Sequence, residues 1–244
     1  MPAMPPRISV IVPTYREASN LAEVTRRVFA GTRSAAGGLE AELIFVDDDS
    51  RDGSVEIVQE LAREYAVRIM VREGERGLSS AVLAGFEAAQ FDVLAVMDAD
   101  LQHPPEKLPA LVAPIVAGTA DFVIGSRYVD AATVAQRWPW YRRLNSRIAT
   151  LLAAPLVQVR DPMSGFFALH RRTLQRARDL NPVGYKIALE LMVKASGPGS
   201  AGRLRCLEVP IVFAERHAGQ SKLTFRVQMR YLAHLAQLYW FRYV

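Results

Sequence analysis

Apolar segments with strand propensity alternate with helical segments through the first half of the chain, and this alternation constrains the fold more than any other feature. The most apolar of these segments, Val93–Met97, contains no polar residue and ends directly at Asp98. A strand that is apolar on both sides must be covered on both faces, as in parallel sheets whose strands are joined by helices. The pattern therefore predicts an α/β fold with a mostly parallel sheet covered by helices.

The predicted elements follow from hydrophobic periodicity and from helix start and stop signals. The predicted strands are 8–12, 42–46, 67–71, 93–97, 122–124 and 204–213. The predicted helices are 20–30, 54–65, 77–90, 105–117, a run that ends near 157, 172–178, 186–195 and 225–244. Since no linker or repeat interrupts the pattern, residues 1–224 are expected to form a single domain with halves at about 8–125 and 126–224, followed by an amphipathic helix over 225–244.

Composition excludes several classes of protein. Half of the 244 residues are hydrophobic and 23% are charged, which excludes a disordered chain, and the single cysteine, Cys206, cannot form an internal disulfide. The net charge is +5, and nearly all of the basic residues are arginines, which suits anionic partners. The net charge is the sole argument for nucleic-acid binding. No apolar run is long enough to cross a bilayer or to act as a signal peptide, so the chain is expected neither to span a membrane nor to be exported.

Polar clusters follow three of the predicted strands at the point where each strand ends. They are Pro13–Glu17, Asp47–Gly53 and Asp98–His103. In parallel α/β sheets, ligands bind at the carboxyl ends of the strands. The three clusters are therefore expected to meet at one edge of the sheet and to form a binding site.

The third cluster has the chemistry of a divalent-cation site. Asp98 and Asp100 are two residues apart, so both carboxylates point to the same side if the strand geometry persists. Oxygen ligands from Asp100 and the Gln102 amide suit Mg²⁺ or Mn²⁺, with phosphate oxygens completing the coordination shell. The alternative is an acidic pair that serves only turn formation and helix capping.

The first two clusters suit a nucleotide. A carboxylate within Asp47–Asp49 could accept hydrogen bonds from a base or a ribose, Tyr15 could stack on a base, and Glu17 could hold ribose hydroxyls. The glycine-rich motifs of NAD enzymes and of P-loop nucleotide hydrolases are absent from the sequence, as are zinc-ligand spacings and the G-x-S-x-G motif. The four histidines are scattered, which is typical of surface or packing residues.

Taken in order, the motifs resemble family 2 glycosyltransferases with the GT-A fold, and more narrowly the polyprenol-phosphate or dolichol-phosphate mannosyltransferase branch. The resemblance runs from about residue 8 to residue 235. The motifs that carry it are Pro13-x-Tyr15-x-Glu17, Val46-Asp47-Asp48-Asp49-Ser50-x-Asp52-Gly53, Asp98-Ala99-Asp100-x-Gln102-His103-Pro104, Gly125-Ser126-Arg127-Tyr128, Asp161-Pro162-x-Ser164-Gly165-Phe166-Phe167, Gly184-Tyr185-Lys186-Ile187 and Gly219-Gln220-Ser221-Lys222.

The resemblance implies a role for each matching position. Those that would bind the nucleotide sugar are Pro13, Tyr15, Glu17, Val46, Asp48, Asp98, Ala99, Arg216 and Lys222. Asp100 and Gln102 would hold the metal ion, which is Mg²⁺ or Mn²⁺. Arg127, Arg142 and Ser146 would bind the acceptor phosphate, and Asp100 and Arg127 are the residues implied in catalysis. The first half of the domain would thus bind the donor and the second half the acceptor.

The implied reaction is inverting transfer of a hexose, with GDP-mannose the expected donor, to a polyprenyl or dolichyl phosphate. The acceptor oxygen is already anionic, so no general base is needed. Arginine side chains would offset the repulsion between the two phosphate-bearing substrates. The alternatives are a same-fold transferase that uses UDP-glucose or a non-lipid acceptor, and a catalytically silent module that binds nucleotide sugars.

The C-terminal segment predicts a basic, aromatic helix. Leu232, Leu235 and Tyr239 fall on one side of it, so the helix could lie in a membrane interface or pack on the core. The expected location is cytoplasmic and peripheral, at the cytoplasmic face of a membrane. Some relatives use separate membrane subunits, so a membrane-anchoring subunit is a further partner that the resemblance implies, whereas no nucleic-acid partner is expected.

Overall fold

The computed structural model describes residues 5–35, 38–128, 148–181, 186–199, 204–212 and 225–244. The strands are β1 (Arg7–Thr14), β2 (Glu40–Asp47), β3 (Val67–Val71), β4 (Val93–Val96), β5 (Phe122–Ser126), β6 (Phe167–His170) and β7 (Cys206–Pro210). The helices are α1 (Ala18–Arg33), α2 (Ser54–Leu61), α3 (Leu78–Ala88), α4 (Leu108–Val116), α5 (Arg171–Arg176), α6 (Ile187–Ser196) and α7 (Phe225–Tyr243). A 3₁₀ turn over Pro105–Lys107 precedes α4, and residues 148–153 are also helical.

The described strands form one sheet in the order β3-β2-β1-β4-β6-β5-β7. All neighbouring pairs are parallel except those made by β6, which runs antiparallel to both β4 and β5. Parallel β1, β2 and β4 therefore end at the same edge, and β6 begins at that edge. The loop that precedes β6 is consequently brought next to the carboxyl ends of β4 and β5.

The core lies on both faces of the sheet, as the apolar strands predict. Along β1, Ile8, Val10 and Val12 contribute to one buried cluster, while Ile11 contributes to the cluster on the other face. This alternation is the two-residue period of a strand. The predicted α/β fold with a mostly parallel sheet is thus confirmed, whereas the division of the chain into residues 1–224 and 225–244 stays a prediction.

The strand β6 was not predicted, because its four residues stand between a turn-rich segment and a helix. Its identity as a strand depends on pairing with Val93–Val96 and with Phe122–Ile124, which are distant in sequence. Such non-local pairing has no local signal. The predicted strand over 204–213 is shorter in the structure, where β7 covers Cys206–Pro210.

One side of α7 packs on the rest of the protein. Leu235 and Leu238 are buried, and the hydroxyls of Tyr231 and Tyr239 donate hydrogen bonds to the carbonyls of Ala149 (2.8 Å) and Leu152 (2.7 Å). On the other side Trp240 is 69% exposed. Among the described residues, none of the helices combines the length and the apolar character that a membrane span requires.

Candidate functional site

The carboxyl ends of β1, β2, β4 and β5 and the loop before β6 define one edge of the sheet, which we call the strand-end site. The register pairs Thr14 with Asp47 at the ends of β1 and β2. Phe167, the first residue of β6, lies between Val96 of β4 and Ile124 of β5. The loop over residues 161–166 thus joins the three predicted clusters at this edge.

The loops of this edge hold unusual backbone conformations. Five described non-glycine residues have positive φ angles, and four of them lie here: Arg16 (60°), Asp49 (54°), Arg51 (52°) and Leu101 (61°). A left-handed conformation costs a side-chain-bearing residue free energy, and such costs concentrate at functional sites. The local strain supports the assignment of this edge as the site.

Asp48 is held by the segment that follows β3. Its Oδ1 accepts hydrogen bonds from the Nε (2.9 Å) and Nη2 of Arg72, and its Oδ2 accepts from the Gly77 N–H at 2.8 Å. Asp47 has a local role, since its carboxylate accepts hydrogen bonds from the Ser50 N–H (2.8 Å) and hydroxyl. Asp48 therefore links the loops that follow β2 and β3. Its predicted contact with the nucleotide sugar stays a prediction.

The side chains after β1 have distinct surroundings. The guanidinium groups of Arg76 and Arg16 lie 4.8 and 5.3 Å from the centre of the Tyr15 ring, a distance typical of cation–π contacts. The Glu17 carboxylate accepts a hydrogen bond from Asn20 Nδ2 at 2.7 Å, in the first turn of α1. Tyr15 thus lies in a positive environment that suits a nucleotide.

Two other residues predicted to bind the nucleotide sugar, Val46 and Ala99, offer little side-chain surface. Val46 is fully buried, and its Cγ2 would lie 3.1 Å from a Cβ placed on Gly85 of α3. Ala99 is also buried, and Pro13 pairs with Val46 across the two strands. A donor contact at Val46 or Ala99 would therefore have to involve mainly the backbone.

The candidate metal ligands lie in the loop after β4. Asp100 is 5% exposed, and its Oδ1 accepts a hydrogen bond from the Gln102 N–H at 3.1 Å. Within the described ranges, no group of three or more His, Cys, Asp or Glu side chains could hold a metal ion by itself. Two hard oxygen donors without a protein cage fit Mg²⁺ or Mn²⁺, which complete their shells with phosphate and water oxygens.

His103 connects the loop after β4 to the loop before β6. Its Nδ1 accepts a hydrogen bond from the Asp98 N–H at 3.1 Å, and its ring stacks on Phe166 with the ring centres 5.3 Å apart. Burial lowers the pKa of His103, although the charges of Asp98 and Asp100 act in the opposite direction. A neutral ring with Nδ1 as acceptor is the form that this contact requires, so His103 is not an ion-pair partner of Asp98.

We expect His103 to make the protein sensitive to acid. Its pKa in the folded protein lies below the unfolded value of about 6.5, so its stabilising contribution is complete above that pH. The contribution is lost as the pH falls from 6.5 towards the lower, folded pKa. In urea titrations at pH 7 and pH 5, wild type should therefore lose more stability than the His103→Gln variant.

His170→Gln is the matched control for this measurement. The Nδ1 of His170 also accepts a backbone N–H, from Arg172 at 3.2 Å, but this histidine is only half-buried. The control should keep most of the wild-type loss between the two pH values. Equal losses in wild type and in His103→Gln would show that His103 does not carry the acid sensitivity.

Arg127 and Asp161 form a buried ion pair beside the acidic loop. Arg127 Nε and Nη2 each lie 2.8 Å from an Asp161 carboxylate oxygen, and the Arg127 N–H donates to the same carboxylate at 3.0 Å. Burial lowers the pKa of Arg127, but the hydrogen bonds and the charge of Asp161 outweigh it, so the net change is an increase. Arg127 therefore stays charged at neutral pH despite its burial.

Lys186, immediately before α6, adds a second positive charge. Burial lowers its pKa to about 8, and the charge of Arg127 acts in the same direction, while Asp161 and Asp98 oppose the change. An ammonium group with so low a pKa is one that the free protein solvates poorly. The strand-end site thus contains two buried cations, Arg127 and Lys186, and an anionic ligand would offset the desolvation of Lys186.

Four predicted site residues lie outside the described residues. They are Arg142, Ser146, Arg216 and Lys222. Their roles stay as predictions from the resemblance.

Sequence reasoning assigned no role to Arg72, His103, Asp161 or Lys186. His103, Asp161 and Lys186 stand inside motifs that carried the resemblance, which was the available signal. Arg72 follows β3 without a motif of its own, and only the fold brings it to Asp48, 24 residues away. Each of the four acts through burial or through a contact that is distant in sequence.

Comparison with known proteins agrees with this architecture. The family model described as "Glycosyl transferase family 2" matches residues 9–177. A dolichol-phosphate mannosyltransferase of Saccharomyces cerevisiae is 48% identical over 238 residues, which is 96% of this chain and 88% of that protein. The protein of the same name from Mycosarcoma maydis is 45% identical over 242 residues, 98% of this chain and 81% of that one.

A solved structure shows the same fold. It is a mannosyltransferase from Pyrobaculum calidifontis in complex with GDP-Man and Mn²⁺, with a TM-score of 0.68 at 19% identity, covering 97% of this chain and 66% of that one. The GT-A fold expected from the motifs is thus confirmed. The chain belongs to glycosyl transferase family 2.

Proposed function

We propose that the protein transfers mannose from GDP-mannose to a polyprenyl or dolichyl phosphate, with inversion at the anomeric carbon. The observation that carries the proposal is the meeting of two kinds of charge at the strand-end site. Asp98 and Asp100 follow β4, and the cations of Arg127 and Lys186 interact electrostatically with Asp98. The near full-length similarity to dolichol-phosphate mannosyltransferases supports the choice of sugar and acceptor.

Asp100 and the side chain of Gln102 would hold a divalent cation, Mg²⁺ or Mn²⁺. When bound, the cation supplies positive charge that stabilises a departing nucleoside diphosphate. The backbone around Asp100 is already fixed by the Gln102 N–H and by the left-handed Leu101. The ligands are therefore oriented before the donor arrives, which lowers the cost of binding.

The acceptor phosphate accounts for the chemistry without a general base. One of its anionic oxygens forms a bond to the anomeric carbon, while the bond from that carbon to the nucleotide's phosphate oxygen breaks and its electron pair leaves with GDP. No proton has to be removed, which agrees with His103 being buried with its Nδ1 occupied by the Asp98 N–H. Arg127 and Lys186 would offset the repulsion between the two anionic substrates.

The remaining assignments belong to the same proposal. The donor would be bound by Pro13, Tyr15, Glu17, Val46, Asp48, Asp98, Ala99, Arg216 and Lys222. The acceptor phosphate would be bound by Arg127, Arg142 and Ser146. The exposed Trp240 of α7 and the exposed Leu151 suit a lipid surface. The location at the cytoplasmic face of a membrane and the membrane-anchoring subunit belong to the proposal through the resemblance alone.

A two-dimensional substrate panel tests the proposal. Radiolabelled GDP-mannose, GDP-glucose and UDP-glucose are each incubated with C55 polyprenyl phosphate, dolichyl phosphate and dolichol, with Mg²⁺ or Mn²⁺ present, and the label in the lipid phase is counted. We expect label from GDP-mannose with both phosphates and none with dolichol, which lacks the anionic oxygen. Transfer to dolichol, or transfer only from UDP-glucose, would overturn the proposal.

A further inference from the structure

We propose that Asp161 and Glu208 are positioning residues that hold the Arg127 guanidinium in the orientation that transfer requires. The inference rests on the proposed function, in which Arg127 binds the reacting acceptor phosphate. Neither acidic residue is assigned to a substrate or to the metal. Both act through the loop that precedes β6.

Asp161 fixes Arg127 at three points. Its two carboxylate oxygens bind the Nε and Nη2 edge of the guanidinium at 2.8 Å each, and Oδ2 also accepts the Arg127 backbone N–H at 3.0 Å. The Asp161 carboxylate is fully buried, so these charge-assisted bonds are not screened by water. The side chain of Arg127 is thereby tied to its own backbone in a single geometry.

Asp161 is in turn held by Glu208 of β7. Glu208 Oε1 accepts the Asp161 N–H at 3.1 Å, and Oε2 accepts the Arg160 N–H at 3.0 Å. Glu208 stands opposite Ile124 in the parallel pair of β7 and β5, and β5 leads directly into Arg127. The connection therefore begins at Glu208 within β7 and ends at Arg127 directly after β5. Both of its ends are anchored to the sheet.

The same loop also contacts the acidic side of the site. A Cβ placed on Gly165 would lie 3.2 Å from Asp98 Oδ1 and 3.4 Å from His103 Cε1, so the backbone approaches the Asp98 carboxylate closely. The loop thus spans from the cation of Arg127 to the loop of the candidate metal ligands. A displacement at Asp161 would therefore move groups on both sides of the site.

The protein contains a matched pair that separates positioning from stability. At the other end of β5, Arg205 Nε and Nη2 bind the two carboxylate oxygens of Asp121 at 3.0 and 2.9 Å, and the Arg205 N–H binds Oδ2 at 3.1 Å. This pair has the same bonding pattern as Arg127 and Asp161 but lies at the opposite edge of the sheet. Asp121→Asn therefore serves as the control for Asp161→Asn.

The experiment compares Asp161→Asn, Asp121→Asn and wild type in the lipid-phosphate assay. Asparagine keeps the shape but loses the negative charge and one acceptor oxygen. We expect kcat to fall about 10-fold to 100-fold and the KM for acceptor to rise, since a misplaced catalytic group costs rate of this order. The dissociation constant for GDP, measured by calorimetry with Mn²⁺, should change less than about twofold, because donor binding does not involve Arg127 in this proposal.

Glu208→Gln tests the connection from the other end and covers the case in which Asp161→Asn does not fold. Its amide keeps one acceptor oxygen, so one of the two backbone N–H groups loses its partner. We expect kcat to fall and the KM for acceptor to rise, each by less than in Asp161→Asn. In an Arg127→Met background, the further loss from Asp161→Asn should be much smaller than in wild type, because a residue that acts mainly through Arg127 has little left to orient.

A readout without catalysis separates this inference from the proposed function. The Arg127 Nε–H signal in ¹⁵N NMR, assigned by its loss in Arg127→Lys, should exchange slowly with solvent in wild type and in Asp121→Asn but rapidly in Asp161→Asn. Unchanged protection in Asp161→Asn, or equal kcat losses in the two asparagine variants, overturns the inference. Lack of transfer by wild type, with the NMR difference present, overturns the proposed function alone.

Discussion

Replacing Asp100 with alanine is expected to abolish transfer, with kcat falling on the order of 1,000-fold or more, because several kcal/mol of charge stabilisation at the leaving group depends on the cation. Asp100 is almost fully buried, and its carboxylate is oriented by the Gln102 N–H beside the left-handed Leu101. Donor binding that depends on Mn²⁺ should weaken in parallel. Calorimetry of GDP with and without Mn²⁺ measures that loss directly.

Asp92→Asn is the matched control for Asp100→Ala. Asp92 stands immediately before β4, at the opposite end of the strand that leads to Asp100, and its side chain is 71% exposed. This variant should keep wild-type turnover and wild-type dependence on Mn²⁺. Turnover that survives in Asp100→Ala, or a GDP affinity in that variant that still rises with Mn²⁺, would refute the metal assignment.

The fold was predictable as far as its signals are local. Val93–Val96 is apolar on both sides, and this alone predicts a strand covered on both faces. Phe167–His170 is also mostly apolar, but it follows a turn and precedes a helix. Only its pairing with β4 and β5 identifies it as a strand. The antiparallel insertion of β6, which brings Asp161 to the site, therefore could not be read from the sequence.

The site was predictable in its loops but not in its contacts. Polar residues that directly follow an apolar strand, such as Asp98 and Asp100, predict a binding site, because the carboxyl ends of parallel strands meet at one edge of the sheet. The pairing of Arg127 with Asp161 joins residues 34 apart and has no local pattern. The low pKa of Lys186 depends on burial by the whole fold, which no motif encodes.

Lys186 is where the demands of stability and of activity diverge. Its ammonium group is poorly solvated in the free protein, and a pKa of about 8 instead of 10.5 corresponds to a cost of about 3 kcal/mol at neutral pH. A second phosphate at the site would add negative charge near this poorly solvated ammonium group. We therefore expect Lys186 to destabilise the empty protein and to stabilise the complex with both substrates.

Replacing Lys186 with methionine should consequently raise stability and lower activity. The free energy of unfolding at pH 7 should rise by about 1 to 3 kcal/mol, since the cost of burying the charge is removed. Transfer should fall about 100-fold to 1,000-fold, the usual effect of removing one preorganised charge from an active site. Urea denaturation and the lipid-phase assay measure the two changes on the same samples.

Lys194→Met is the control on the same helix. Lys194 lies near the other end of α6 and pairs with the buried Glu190 at 2.8 Å, so its removal should lower stability and leave turnover unchanged. The two lysine variants are thus expected to move stability in opposite directions. A loss of stability in both would show that the charge of Lys186 is well compensated in the free protein, against the proposal.

The pH dependence provides the sharpest test of the role of Lys186. Because kcat/KM reports the ionisation of the free enzyme, it should fall as the pH rises through about 8, where Lys186 loses its proton. Between this pH and 10.5 the unfolded chain binds the proton that the folded chain has lost, so wild-type stability should rise and the advantage of Lys186→Met should shrink. Lys186→Arg keeps its charge throughout this range, so its kcat/KM should decline only at a higher pH. If wild type and Lys186→Arg lose kcat/KM at the same pH, another group controls the alkaline limb and the charge of Lys186 does not assist transfer.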